Sequence, residues 1–345
     1  MARFGMMITC NRPPEELVSS AQYIESLGFD DVWLVEDLRW AGGIGPSAVV
    51  LANTQKVRVG LGIMPAVFRN ASATAMEVSA LARLFPGRFA AGIGHGLQSW
   101  MSQIGERVAS PMTALEEVTA VVRRMIRGGT ISFDGAYVKV DDIALVHPAI
   151  EVPPVLLGVG GPKSVELSGR IADGTILAEW AGPAYVQDAR VLINKGRDAA
   201  TQSGGTTSIT GAIFAAALIP AEHELVVFVN TMLSSEHVDA RMVMRQSIAP
   251  KILDGSLARA FTLMGVTEEA DRLAALGLPA PELANHIPDV WIDELAAAGT
   301  AEQIQAMFRA LIEAGADTIV MIPFVGPHNP ALANYANLLE TLRNS

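Results

Sequence analysis

Cysteine is almost absent: Cys10 stands alone among 345 residues. No intrachain disulfide can form, and the expected compartment is a reducing cytoplasm. Long apolar runs are also missing, so no membrane span is expected. The opening MARFGMMITCNRPP lacks the basic segment, apolar stretch and small-residue cleavage site of a secretion signal. Basic residues are outnumbered, with 25 Lys and Arg against 36 Asp and Glu and a net charge of −11. That balance, without any basic cluster, weighs against nucleic acid as a partner. No HExxH, CxxC or clustered His pattern occurs, so no metal site is expected. Neither a GxSxG elbow nor a Walker motif is found.

What the chain has is apolar residues, which make up 50% of it, in a strict rhythm. Strand patterns are expected at 4–9, 31–35, 57–63, 89–93, 155–157, 175–177, 209–218 and 318–322. Helical patterns alternate with them at 14–27, 46–54, 71–84, 111–126, 162–171, 184–201 and 301–314. Eight strands alternating with helices predict one closed parallel (β/α)8 barrel over residues 1–345. Two insertions break the rhythm. The stretch 130–140, TISFDGAYVKV, alternates around a central Gly and predicts a hairpin after the fourth helix. The stretch 221–298 is too long for one crossover. Its periodic Met242, Met244, Leu253, Leu257, Phe261 and Met264 predict extra helices between the last two strands.

The most informative segment is PVLLGVGGPKSVELSGRIADGTIL, residues 154–177. A buried strand runs into Gly158, Val159, Gly160 and Gly161, and Pro162 then suits the first position of a helix. A glycine turn entering a helix exposes N–H groups with no intrahelical partner, and the helix dipole favours an anion there. Lys163 adds positive charge. The plainer reading is an ordinary tight turn.

In a parallel barrel the reactive face lies at the C-terminal ends of the strands. Glu36 and Asp37 fall at such an end, either as acid–base or hydrogen-bonding groups or as a cap and a solvated acid. His95, between Gly94 and Gly96, is placed for close approach to a ligand, or is simply a loop residue. Cys10 has no base beside it in sequence and reads as a spectator thiol. Glu179 follows the sixth strand. The Met-rich insertion either lines an apolar substrate pocket or serves core packing or a dimer contact.

Four segments carry a resemblance: ESLGFDDVWLVEDLRW (25–40), VRVGLGIMPAVFRN (57–70) with LFPGRFAAGIGHG (84–96), the 154–174 stretch, and AGTAEQIQAMFRALIEAGADTIVMIP (298–323). In order and content the chain resembles the bacterial luciferase-like flavin and deazaflavin oxidoreductases. It looks most like the branch that uses coenzyme F420, with methylenetetrahydromethanopterin reductase and F420-dependent glucose-6-phosphate dehydrogenase. The hairpin's FDGAYV also matches. The resemblance implies a TIM barrel with the deazaflavin ring at its C-terminal mouth. It implies a non-prolyl cis peptide at Gly62-Ile63, and coenzyme contacts at Gly158–Gly161 and Lys163; Gly94, His95 and Glu179, at other strand ends, are expected to join them. Asp37 or Glu36 would make polar contact with ring or substrate. It further implies hydride transfer to or from an organic small molecule, in an expected homodimer. The alternative is an FMN-dependent monooxygenase using reduced flavin and oxygen. A non-catalytic relative that has lost its cofactor is a third reading, opposed by the intact glycine turn and Gly62-Ile63. Asp37 stands where several members carry His. Cys10 stands where the glucose-6-phosphate branch has Glu, and Ala41 where it has Trp. These departures weigh against sugar-phosphate oxidation.

Overall fold

The barrel strands are apolar on both faces because helices cover them outside and side chains fill them inside. In the computed structural model, which describes residues 2–202, 222–235, 239–324 and 332–344, eleven strands occur among those residues. They are β1 (Arg3–Met7), β2 (Asp31–Leu34), β3 (Arg58–Pro65), β4 (Phe89–Gly94), β5 (Ile131–Asp134), β6 (Lys139–Ile143), β7 (Val155–Gly158), β8 (Gly174–Leu177), β9 (Glu224–Leu233), β10 (Ala297–Gly299) and β11 (Thr318–Pro323). Eight of them pair in the cyclic order β1, β2, β3, β4, β7, β8, β9, β11. Every pairing in the ring is parallel, and β8 against β9 and β11 against β1 close it. This is the expected (β/α)8 barrel.

The expected hairpin is β5 and β6, which pair only with each other. It is fastened from outside. Glu117 of the helix Pro111–Ile126 accepts hydrogen bonds from the backbone N–H groups of Ala136, Tyr137 and Val138 at 2.8–3.0 Å.

The seventh barrel strand corrects the sequence reading. The expected strand at 209–218 lies outside the described residues. The strand that occupies this place in the ring is β9, inside the stretch read as helical. Its run ELVVFVNTML is rich in β-branched residues and is buried on both faces, towards the barrel interior and the helix layer, as a covered parallel strand is. The extra helices begin later, at Ala240–Leu253, and continue to Asp289–Leu295. They enclose a second core of Met244, Ile248, Phe261, Trp291 and Leu295. The short β10 returns the chain to β9, pairing Ala297 with Thr231.

The barrel interior is built in tiers. At the N-terminal end it is polar. Arg58 donates to Asp31 at 2.8 Å and to Glu224 at 2.9 Å. Thr318 donates to Glu224 at 2.7 Å, and Arg3 pairs with Asp31. Burial raises the pKa of Asp31, but the Arg58 and Arg3 guanidinium groups outweigh it and hold the carboxyl below its ordinary value. The tier above is apolar: Trp33, Ala90, Leu156, Ile176, Val226, Phe228 and Val320. Trp33 fits because its neighbours are bare. A Cβ on Gly60 would lie 2.4 Å from the indole, and one on Gly5 2.8 Å. Phe228 meets Trp33 edge-on, with centroids 5.4 Å apart. Met7, Ile63 and Ile322 pack on this tier and are only partly buried, so the barrel opens above them.

Two predictions follow from these contacts. Gly60→Ala is expected to lower the urea-unfolding free energy by about 1–3 kcal/mol, the range for overpacking a filled core; an unchanged midpoint would mean that the indole moves freely. His223 is buried, with its Nε2 2.8 Å from Thr175 Oγ1. Burial, with Arg190, Arg197 and Arg123 nearby, pushes its pKa down to about 3. The unfolded chain then takes up this proton near 6.5 while the folded chain refuses it. Stability from this residue is full above pH 6.5 and falls by roughly 1.4 kcal/mol per unit below it, down to the folded value. His223→Gln lacks this dependence. Its stability deficit relative to wild type, measured by denaturant titration from pH 7 to 4, is expected to shrink as pH falls.

Candidate active site at the barrel mouth

The C-terminal strand ends bring the expected residues into one ring of loops. At the end of β3 the peptide Gly62-Ile63 is cis, as the resemblance implied. The β3–β4 register shifts between Leu61 and Met64 at this point. The Ile63 side chain occupies space left by three glycines on the neighbouring strands. A Cβ on Gly158 would stand 2.3 Å from Ile63 Cγ2, one on Gly94 2.9 Å from Cγ1, and one on Gly92 3.2 Å from Cγ2. Any larger residue at these places would push Ile63 into the mouth. Glycine is used here for close approach and not for left-handed backbone, since none of the three has positive φ.

The adjacent acids after β2 separate into different roles. Glu36 is buried, and both its oxygens are taken. Arg69 grips it through two hydrogen bonds of 2.7 and 2.6 Å, and the Gly43 N–H adds a third at 2.8 Å. That pairing raises the Arg69 pKa, against the effect of burial. Glu36 therefore ties the loop after β3 to the loop after β2 and has no open position for proton transfer. Asp37 is half-buried and accepts a hydrogen bond from Cys10 Sγ at 3.2 Å. Burial first, and Asp37 second, push the Cys10 thiol up to about 12. Cys10 is therefore a permanent thiol donor to Asp37. The same loop is also held by the short helix Gln98–Gln103 that follows β4, where Arg39 (φ +82°) donates to Gln103 at 2.9 Å.

His95 follows β4 and is half-buried. Its Nδ1 lies 3.3 Å from the Pro111 carbonyl, which can only accept, so Nδ1 carries the proton and Nε2 is the acceptor. Burial lowers its pKa despite that carbonyl, so the ring is neutral at neutral pH.

The glycine turn is built as the sequence indicates. The helix Pro162–Ile171 starts with Pro162 at its first position and Gly161 as N-cap, and no side chain caps it. Gly160 does not have positive φ. Its carbonyl accepts from Tyr185 Oη at 2.7 Å, which fixes the turn against the helix Pro183–Gln202. Val159 is buried, while Gly161 and Lys163 are exposed. Glu179 sits apart from this group. It is exposed and lies 3.6 Å from Lys251 of the insertion, so it joins the barrel rim to the extra helices. Next to it, Trp180 has φ +72° and buries its ring in the insertion core. Among the described residues no cluster of His, Cys, Asp and Glu could hold a metal ion.

Arg69, Tyr185 and Phe228 are site-shaping residues that sequence reasoning missed. Arg69 lies in a quoted segment, but only the fold puts its charge beside Glu36. Phe228 lay in the run misread as helix.

The family model described as luciferase-like monooxygenase matches residues 1–318. A similar curated protein is the 5,10-methylenetetrahydromethanopterin reductase of Methanolobus tindarius. It is 23% identical over 329 residues, covering 94% of this chain and 95% of the relative. Another is the F420-dependent glucose-6-phosphate dehydrogenase of Nakamurella multipartita, 27% identical over 217 residues, with 59% of this chain and 63% of the relative covered. Among solved structures, the coenzyme F420 dependent tetrahydromethanopterin reductase of Methanopyrus kandleri superposes with a TM-score of 0.78 at 20% identity. That match covers 98% of this chain and 97% of the other. At such identity the superposition speaks for the fold. The match over residues 1–318 goes further: the chain belongs to the luciferase-like monooxygenase family.

Proposed function

We propose that this protein is an F420-dependent oxidoreductase that passes hydride between the deazaflavin and a small organic substrate. The observation that carries this reading is the cis Gly62-Ile63 peptide at the barrel mouth. Three glycines on β4 and β7 make room there for the Ile63 side chain, and an uncapped helix start stands at the end of the same β7. A flat ring seated there and a phosphate at that helix start suit a coenzyme that has both. The full-length likeness to a methylenetetrahydromethanopterin reductase supports the choice of coenzyme.

The coenzyme supplies the hydride chemistry when bound. The chain supplies position and polarity. Ile63 backs the ring, and Gly158, Val159, Gly160, Gly161 and Lys163 hold the phosphate side. Asp37 orients ring or substrate as an acceptor, and the Cys10 thiol fixes one of its oxygens. His95 contributes a neutral ring with an acceptor Nε2. Glu36 acts only through Arg69, by holding the loops. The insertion closes over the substrate, and Glu179 anchors it through Lys251. A homodimer in the cytoplasm belongs to the same reading.

Titration with F420 and with FMN, followed by coenzyme fluorescence, tests the proposal. F420 is expected to bind, and more tightly than FMN. Preference for FMN would favour the monooxygenase alternative, and binding of neither would sink both. Gly160→Asp places a carboxylate at the uncapped helix start, where like charges meet. F420 affinity is expected to fall by about 100-fold, or roughly 2.7 kcal/mol. Gly160 has no left-handed backbone to lose, but a Cβ there would stand 3.0 Å from Tyr185 Oη, so circular dichroism must show the variant folded as wild type. Asp37→Asn is expected to weaken F420 binding about tenfold, as for loss of one charge-assisted hydrogen bond, and to shift the ring absorbance. If neither changes, Asp37 does not touch the ring.

A further inference from the structure

Asn230 is a polar residue buried in the barrel wall. It lies on β9 with 4% of its surface exposed, and its Nδ2 has no hydrogen-bond partner among the described residues. Native proteins pair nearly all buried donors, so an orphan calls for an explanation. Its position supplies one. Strand side chains alternate, and Val226 and Phe228 of β9 belong to the interior tier. Asn230 is next in that inward series. Its register partner on β11 is Ile322, which caps the same tier.

The site opposite is the coenzyme seat. In the eight-strand ring β3 and β9 lie four places apart, on facing walls. Phe228 reaches across: a Cβ on Gly62 would be 3.2 Å from its Cζ. Asn230 stands two residues further along β9, about 6.6 Å higher at a strand rise of about 3.3 Å per residue. A ring seated by Gly62-Ile63 therefore has Phe228 beneath it and Asn230 at its far edge. Met7, Ile63 and Ile322, the other residues at the top of the tier, have no hydrogen-bonding side chains.

We propose that Asn230 reads the pyrimidinedione edge of the deazaflavin, its carboxamide pairing with the imide. A carboxamide offers one donor face and one acceptor face. An imide edge offers the complementary N–H beside C=O. The orphaned Nδ2 gains its partner only when the ring is present. This assignment rests on the F420 reading but concerns a residue which that reading does not need, and it places the phosphate and the imide edge at opposite ends of the seat.

The test is Asn230→Leu, which keeps the branched shape and removes both polar atoms. In the coenzyme-free protein the melting temperature is expected to stay the same or rise, since an unpaired buried group is removed. F420 affinity is expected to fall at least tenfold. The deazaflavin chromophore lacking the phosphate and its extension should lose the same factor, whereas Gly160→Asp should spare that chromophore. Asn230→Asp, which keeps an acceptor but opposes a charge to the ring carbonyls, should bind more weakly still. Asn230→Ser carries the same test if the Leu variant does not fold, because its hydroxyl is too short to reach. F420 affinity within twofold of wild type in a folded variant overturns the assignment. So does a large fall in melting temperature without ligand, which would give Asn230 a partner inside the fold. Failure of the wild type to bind F420 brings down the parent reading, and this one with it.

Discussion

The packing of one large side chain against bare backbone sets the shape of this barrel. Trp33 is fully buried at the centre, and it fits only because Gly5 and Gly60 leave room on the flanking strands. An indole buries more apolar surface than any aliphatic residue it could replace, so one residue fills what several strands would otherwise share. Phe228 then locks against it edge-on. With the centre filled by two rings, the neighbouring strands can stay small, and β4 and β7 present glycines upward to Ile63. The height of the floor, the place of Ile63 and the open mouth all descend from that arrangement.

The two ends of the barrel treat polar groups in opposite ways. At the N-terminal end charges are matched. Asp31, Arg58, Glu224 and Thr318 satisfy one another, and Arg123 and Asp173 pair beneath β8. Buried pairs of this kind are costly to break because one partner is left charged and alone. At the C-terminal end the balance is left open. Among the described residues the helix Pro162–Ile171 has no side-chain cap and Asn230 Nδ2 has no partner, and Arg39 and Trp180 have positive φ. Departures from local rules are expected where a site trades stability for binding, and these lie at the mouth.

Much of this was legible in the sequence because it is local. The alternation of strand and helix, the Pro162 start and the hairpin depend on neighbours within a few residues, whereas the cis peptide at Gly62-Ile63 was indicated by the family resemblance. The helices at 71–84 and 111–126 match the structure at both ends. What was not legible is long-range. Glu36 and Asp37 look alike in sequence, and only Arg69, 33 residues on, makes one a brace and leaves the other open. β9 was lost because its apolar run adjoins a helical one, and periodicity cannot mark the border between them. That error hid Phe228 and Asn230 together. Tyr185 carries no signal at all, since a tyrosine early in a helix is ordinary until its hydroxyl meets Gly160.

Cys10 and Asp37 are best understood as one unit. Separately, each is a departure from the residue that relatives place there. In the fold they sit at the ends of adjacent strands and share a hydrogen bond. A thiol pushed up to about 12 stays protonated throughout the physiological range, so its S–H remains available to the Asp37 oxygen it meets. Asp37 is thereby held in one orientation with its other oxygen available as an acceptor. A histidine in that place could switch between donor and acceptor as its proton came and went; a thiol-tethered carboxylate has only the acceptor role. With His95 held neutral by burial and its Nδ1 directed to Pro111, the second titratable group at these strand ends also offers an acceptor. The polar character of this wall is therefore set by the Cys10 and Pro111 contacts that orient these two groups.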